Sequence, residues 1–506
     1  MSVMRRLGGV LGVSLLGSLL VAGLAQASTF TVNVAASSGP GSLASAITQA
    51  NATAAPDTIR FAIGAQGTPH VISSSAGLPT VTRPLTIDGR SQGGPGYTGP
   101  PLIQLVGCPT AAPCLPDSSS GGNGIGIRLA STATGSTVSG LSVVRFNHGG
   151  IVVEAPLSVV SGNYVGVDLD GVGPGVGNGE GGVLVRASGV TVGGTTATAA
   201  NVIGDNHVRC GVDVQSGTGS VVRGNLIGTD RTGVSGLGNA SLPAGELPSC
   251  GVRVEGTAAQ TTIGGSGGAR NVISGNDRNG VEILGGTSTV LQGNLIGLGS
   301  DATTVVANAQ SGVLVGGGTG TIIGGPSPAA RNVISGNFNG AGVRVIGGSV
   351  LVEGNFIGVG PDGVTSLSNH DGVLITGGSP AIGGTASGAG NLISGNAATG
   401  VTVGSGSAGA VVTGNQVGGG VGGAPSVAGN GGAIVMDGRG KELSICGVEK
   451  TDETGRLCRL NLAVHGLEGD IRHGGKDGHE PGPQETVGVA GDASVVLRHA
   501  CELVAL

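Results

Sequence analysis

The octapeptide ARNVISGN occurs at Ala269–Asn276 and again at Ala330–Asn337, and a near copy, AGNLISGN, fills Ala389–Asn396. A chain that restates a block at a spacing of about sixty residues is building one structural unit over and over. The spacing halves once a second marker is followed, a glycine that leads a short Val/Ile run. It opens GIGIRL at Gly124, GIVVE at Gly150, GVLV at Gly182, GVDV at Gly211, GVRV at Gly251 and GVEI at Gly280. It continues with GVLV at Gly312, GVRV at Gly342, GVLI at Gly372, GVTV at Gly400 and GAIV at Gly432. Successive glycines stand roughly thirty positions apart, with one longer step from Gly211 to Gly251, and that is a solenoid period.

Two kinds of unit alternate. One runs from the glycine-led strand to TIIGG (Thr321–Gly325), a short loop and NVISGN; the other runs to VLVEGNFIG (Val350–Gly358) and then a long loop. Each unit holds three strands that are too short and too β-branched for helices. Glycine and asparagine stand at the corners, where turns need positive φ. Three short strands and three corners in ~30 residues make one turn of a right-handed parallel β-helix, an all-β solenoid of about eleven coils and roughly 50 Å at ~4.8 Å per coil. Alternate side chains then stack into an apolar core along the axis. Asn271, Asn276, Asn332, Asn337, Asn391 and Asn396 are expected at equivalent corners, their amides bonding from coil to coil. An immunoglobulin-like or jelly-roll sandwich also uses many short strands, but it does not restart one block at a near-constant interval.

The blocks IGGPSPAARNVISGN, GNLIGTDRTG and GNFIGVGPDG resemble the coils of bacterial secreted right-handed parallel β-helix repeat proteins. The N-terminal TFTVNVAASSGPGSLASAITQANATAAPDTIRFAIG and the later PLTIDG resemble the usual start of such chains, so the likeness spans roughly residues 29 to 437. It implies an architecture more than an activity. The fold more distantly resembles that of pectate lyases and polygalacturonases, which act on polysaccharides, but no copy of their catalytic motifs is found here.

Composition narrows the classes. The 506 residues include 108 glycines, two tyrosines, five phenylalanines and no tryptophan, only 11% are charged, and the net charge is −6. No basic cluster stands out after residue 6, so nucleic acid is not an expected partner. Residues 1–27 read as a secretory signal peptide: Arg5 and Arg6, an apolar run from Leu7 to Leu24, then Ala25-Gln26-Ala27. A membrane anchor is the alternative reading, which the glycines within the run disfavour. No second run reaches the ~18 apolar residues of a bilayer span. The mature chain is therefore expected outside the cell or on its surface, with the periplasm as the other compartment.

The remaining boundaries follow from the beat. Residues 28–120 read as an N-terminal cap with the first strands, and 121–437 as the repeats. In GSLASAITQAN, Leu43, Ala46, Ile47 and Ala50 keep helical spacing behind Ser42, which predicts a short capping helix. From Gly438 the beat stops. From there to the end the chain carries over a third of its charged residues and three of its seven cysteines, and ICGVEKTDETGRLCRLNLAVHG continues no coil. Residues 438–506 are read as an atypical charged tail: a cap, a disordered segment or a frame-shifted end.

Cys210 and Cys250 each precede the glycine of strand one in successive coils, so they are expected to stack and form a disulfide across the base of the long Thr229–Ser249 loop. Cys108 and Cys114 share a loop and form a second candidate pair. Solenoid enzymes that cut polysaccharides carry carboxylates on an outward strand column. Here the position two after each glycine reads Val152, Leu184, Asp213, Arg253, Glu282, Leu314, Arg344, Leu374 and Thr402. The next outward position includes Glu154, Arg186, Gln215 and Glu255, the candidates for ligand contact. Asp213 and Glu282 lie two coils apart, near the upper separation used by inverting glycosidases. Arg253 between them points instead to a cross-strand charge ladder of alternating sign.

A second column, Asp168, Asp170, Asp230, Asp301 and Asp362, follows the GNxIG or GNxVG corners. Asx turns explain most of it. Only Asp168 and Asp170 sit close enough to suggest calcium, the one cofactor the sequence admits. His148, His207 and His370 fall on non-adjacent coils and share no metal. The resulting expectation is a structural or binding solenoid directed to extracellular polysaccharide or the cell envelope. The alternative is a polysaccharide lyase or glycoside hydrolase.

Overall fold

The computed structural model describes residues 26–74, 77–108, 124–173, 177–239, 250–407, 409–421, 429–436 and 445–446. The predicted signal segment falls almost entirely outside this set, as does the tail beyond residue 446.

The chain winds through three parallel sheets of 14, 12 and 11 strands, and each coil between residues 127 and 417 contributes one short strand to each. It is a parallel β-helix. The 11-stranded sheet, here sheet 1, is built in order from the glycine-led strands, from Ile127–Leu129 to Gly432–Met436. Sheet 2 takes the second segment, as in Val290–Gln292, and sheet 3 the two-residue third segment, as in Leu295–Ile296. Pairing between coils keeps register: Val281 opposes Val313, Leu291 opposes Ile323, and Leu295 opposes Val333.

At both ends the sheets extend further than the glycine beat by itself indicates. Sheet 2 already begins at Thr29–Val32, which pairs with Asp57–Phe61, so the coils start inside the segment read as a cap with first strands. At the other end Ile445–Cys446 pairs in parallel with Val412–Thr413. The first residues of ICGVEK thus extend sheet 2, because an Ile-Cys pair satisfies a free strand edge without needing the glycine-led pattern. The helix Leu43–Asn51 forms as predicted. Ser42 caps it, its Oγ accepting from the Ser45 amide at 3.2 Å. Leu43, Ala46, Ile47 and Ala50 are buried against the first coils.

One apolar core runs from Val32 to Val412. In a single coil Val281, Ile283, Leu291 and Ile296 all have zero exposure. Burying each contributes about 1.5–3 kcal/mol. Outward residues of sheet 3 make a second apolar layer beneath the long loops: Val272, Leu295 and Val333 pack with Leu298, Ala302 and Leu367. The long loops themselves close as small hairpins, bridged at Thr229–Gly236, Leu298–Val305 and Val359–Ser366.

The six predicted corner asparagines do not form one stack but two. Asn271 and Asn276 flank opposite ends of the strand Val272–Ile273, so each belongs to a different ladder. The first ladder runs Asn163, Asn201, Asn225, Asn271, Asn294, Asn332, Asn355, Asn391, Asn415, with Nδ2 to Oδ1 distances of 2.8–3.2 Å. The second runs Asn178, Asn206, Asn239, Asn276, Asn308, Asn337, Asn369, Asn396, Asn430 at 2.9–3.0 Å. The glycine after GNxI makes such close stacking feasible. At Gly297, with φ +90°, a Cβ would run into the Ser335 carbonyl oxygen of the next coil.

Candidate functional site

The outward column of sheet 1 has the predicted register: Leu184 opposes Asp213, Asp213 opposes Arg253, Arg253 opposes Glu282, and Glu282 opposes Leu314. Its environment differs from the expected open face. The side chains of Asp213, Arg253 and Glu282 are 0%, 3% and 4% exposed. Longer polar side chains lie over them. Arg209, rising from the corner before the strand, spans Asp213 at 3.2 Å, Glu180 at 3.3 Å and Glu255 at 3.5 Å.

The predicted sign-alternating ladder is also rearranged. Asp213 takes its ion pair from Arg209, four residues before it in the same coil, rather than from Arg253. Arg253 turns to Glu282, donating to Oε2 from Nε at 3.2 Å and from a terminal nitrogen at 2.9 Å, and it stands 3.9 Å from Glu255. The other Glu282 oxygen accepts from Asn279 at 2.9 Å. Two Arg253 nitrogens thus converge on one carboxylate oxygen, a charge-assisted contact stronger than a neutral hydrogen bond. On the lower coils Arg128 grips Glu154 at 3.0 Å, and Arg186 sits 3.6 Å from the same carboxylate. Arg186 also donates to Gln215 at 2.6 Å, and Gln215 donates to Asp213 at 3.0 Å. His148 closes the edge 3.4 Å from Glu180.

The structure therefore brings together all seven outward candidates, Glu154, Arg186, Asp213, Gln215, Arg253, Glu255 and Glu282, in one network. It adds Arg128, Glu180, Arg209 and Asn279. Glu180 and Arg209 lie at the corner before the strand and Asn279 is the first residue of its strand, all off the position two after the glycine, which is why the column count missed them. Burial, the largest influence on the Arg209 guanidinium, pulls its pKa down, but Asp213, Glu180 and Glu255 outweigh it and hold it above its ordinary value. In chemical terms the network is an internally neutralised surface. Glu282 has both oxygens committed, whereas Asp213 keeps one buried oxygen without a partner. Above it the column turns apolar: Leu284 and Ile346 are 39% and 44% exposed and flank Gly316.

Cys210 and Cys250 form a disulfide with Cα atoms 4.3 Å apart, both buried. Their sulfurs and a Glu282 oxygen lie within 4.8 Å of one another, but the bonded sulfurs are not thiolates and offer no metal ligands. Cys108 is disulfide-bonded as well, while Cys114 lies outside the described residues.

The loop acids divide as their surroundings dictate. Asp230, Asp301 and Asp362 close Asx turns: Asp230 accepts from the Thr232 amide at 3.1 Å, Asp301 from the Thr303 and Thr304 amides at 3.0 and 2.9 Å, and Asp362 from Val364 and Thr365 at 3.0 Å each. The Thr304 hydroxyl and the amides beside it hold the Asp301 carboxyl down at about 2. Asp168 and Asp170 are brought together. Asp170 accepts from the Val172 and Gly173 amides at 2.7 and 3.1 Å and shares a hydrogen bond with Asp168. Burial, then the hydrogen bond and negative charge of Asp170, pushes Asp168 up to about 6. Calcium would take the place of that shared proton, although it wants six to eight oxygens and only two acids converge here. His207 is held below its ordinary value by burial, against the pull of Asp205 and Asp277. His370 pairs with Asp371 at 3.0 Å, far along the rod from His148.

No family profile and no curated protein matches the chain. Among solved structures it is similar to the Dettilon tailspike protein, at 14% identity and a TM-score of 0.35, over 78% of this chain and 64% of that one. The chain thus spans less than two thirds of the tailspike's length.

Proposed function

We propose that this chain is a secreted or surface-associated β-solenoid with a structural and binding role, directed to glycans or the cell envelope. One observation carries the reading. On the outward face of sheet 1 the acids and bases are spent on one another, with Asp213, Arg253 and Glu282 beneath the surface. General acid–base chemistry needs a carboxyl within reach of substrate and not committed to a partner, whereas a rigid, self-neutralised face suits presentation and contact. The disulfide and the leader-like segment 1–27 support an extracytoplasmic location.

An observation on the side of catalysis is the Asp168–Asp170 pair, whose two carboxyls are pushed in opposite directions, as in acid–base dyads. The alternative reading is a polysaccharide lyase or hydrolase. Incubation with pectins, alginates and neutral glycans separates the two. Retention on an immobilised glycan without new reducing ends or unsaturated products supports the binder, and catalytic release of such products overturns it.

A further inference from the structure

The chain has two tyrosines and no tryptophan, and the fold gathers both tyrosines at one place. Tyr164 stands on the outward side of its sheet 3 strand, packed against Val167, Val202 and Leu237 and 8% exposed. Tyr97 comes from the loop after the 3-10 turn Gly89–Gly93, its hydroxyl donating to the Pro100 carbonyl at 2.8 Å. Arg90 ties the two regions together, donating to the Gly99 carbonyl at 3.1 Å and to the Gly162 carbonyl at 3.5 Å. On the other side the Asp168–Gly173 loop folds back over Tyr164. A Cβ at Gly171 would lie 2.9 Å from the Tyr164 ring and 2.5 Å from the Arg231 side chain, and the Arg231 amide donates to the Gly171 carbonyl at 2.9 Å. Tyr164 keeps only 8% of its surface exposed, and its hydroxyl is not among the buried atoms without a partner, so the ring is buried while the hydroxyl meets the surface. One buried oxygen of Asp168, Oδ1, lacks a hydrogen-bond partner. The Tyr164 hydroxyl lies within the fields of Arg231, Arg90, Tyr97 and Asp170.

We infer that Tyr97, Tyr164, Asp168, Asp170 and Arg231 form a saccharide-binding site for a sugar ring with vicinal hydroxyls, with Arg90 as the positioning residue. This assignment rests on the glycan-directed reading above and names where the contact occurs. Small-ligand sites combine an apolar or aromatic wall with a few convergent polar groups, and tyrosine supplies both at low entropic cost. The exposed Asp170 carboxylate accepts from a pair of sugar hydroxyls. The exposed Arg231 donates to ring or hydroxyl oxygens. The Tyr164 hydroxyl exchanges solvent for a sugar hydroxyl, and the half-buried Tyr97 ring adds an aromatic wall.

Because both tyrosines of the chain lie in the site, intrinsic tyrosine emission reports on it directly. The full-length protein is titrated with polygalacturonate, alginate, dextran and cellohexaose, and affinities are measured by calorimetry. A saturable emission change is expected with at least one probe. Tyr164→Phe, which keeps the ring in its apolar cluster, and Asp170→Asn are each expected to weaken that binding about tenfold. Asp362→Asn, on a distant loop, leaves it unchanged. Binding at unaltered affinity by Tyr164→Phe and Asp170→Asn overturns the site while the glycan reading stands. Binding of none of the probes overturns both. An emission change produced by calcium alone, with no response to sugar, assigns the loop to a cation and overturns the saccharide site.

Discussion

Each ladder asparagine uses its amide in several directions at once. Asn294 donates to the Asn332 oxygen and to the Ile263 carbonyl, both at 3.0 Å, and its own oxygen accepts from Asn271 at 2.9 Å. Asn294→Ala orphans buried groups on both neighbouring coils, at about 1–3 kcal/mol for each group left without a partner. A clear fall in the chemical-denaturation midpoint is expected, whereas an exposed control such as Thr303→Ala moves it little. The Arg253–Glu282 pair follows a different rule. Glu282→Ala removes the carboxylate that takes two donors of a buried guanidinium and should cost about 3–5 kcal/mol, while Arg253→Met with Glu282→Leu should recover much of that loss. A double-mutant cycle read by thermal melting checks this, and equal losses for single and double variants would contradict it. Asp168 makes stability depend on pH. Its folded-state pKa is raised, so between its ordinary 3.8 and about 6 the folded chain holds a proton that the unfolded chain has released. Stability therefore falls as pH rises through that window. Asp168→Asn keeps a donor for Asp170 but removes the titration, so its melting temperature should exceed that of the parent above pH 6 and match it near pH 4.

At the scale of elements, the coil is a unit whose strands are too short to stand alone. Val272–Ile273 has two residues and survives only because Leu226–Ile227 and Leu295–Ile296 pair with it on either side. The coil between Cys210 and Cys250 carries the longest insertion of the repeat. The disulfide closes a separation of 40 residues there, and loop-closure entropy assigns such a crosslink about 4 kcal/mol. The Cys210→Ser, Cys250→Ser double variant is expected to lose most of that and to show faster amide exchange in the flanking strands, measured by mass spectrometry. Exchange unchanged from the parent would mean that stacking alone holds these coils.

For the whole molecule, fourteen strands in sheet 2 at ~4.8 Å spacing give a rod about 60 Å long, more than the eleven glycine-led strands by themselves suggest. Small-angle scattering should show that elongation. The helix Leu43–Asn51 covers the first coils, where strand edges would otherwise lie open. Removing residues 28–51 should add concentration-dependent oligomers not seen with the parent chain, because a bare parallel edge is a template for pairing. A truncated chain that elutes like the parent would argue against this role.

The period, the three-strand coil, the capping helix and the Cys210–Cys250 pair were legible in the sequence, because each follows from local spacing repeated along a single axis. In a solenoid the neighbour in space is the residue about thirty positions away, so register could be counted from the glycines. What only the tertiary structure decided lies across the coil rather than along it. Corner angles sent Arg209 over Asp213, turned Arg253 to Glu282, and split the asparagines into two ladders. Arg90, bonded to Gly99 and to Gly162, links the Tyr97 loop to the Tyr164 strand. Strand spacing carries no information about those contacts, since they depend on how far a side chain reaches sideways from a turn.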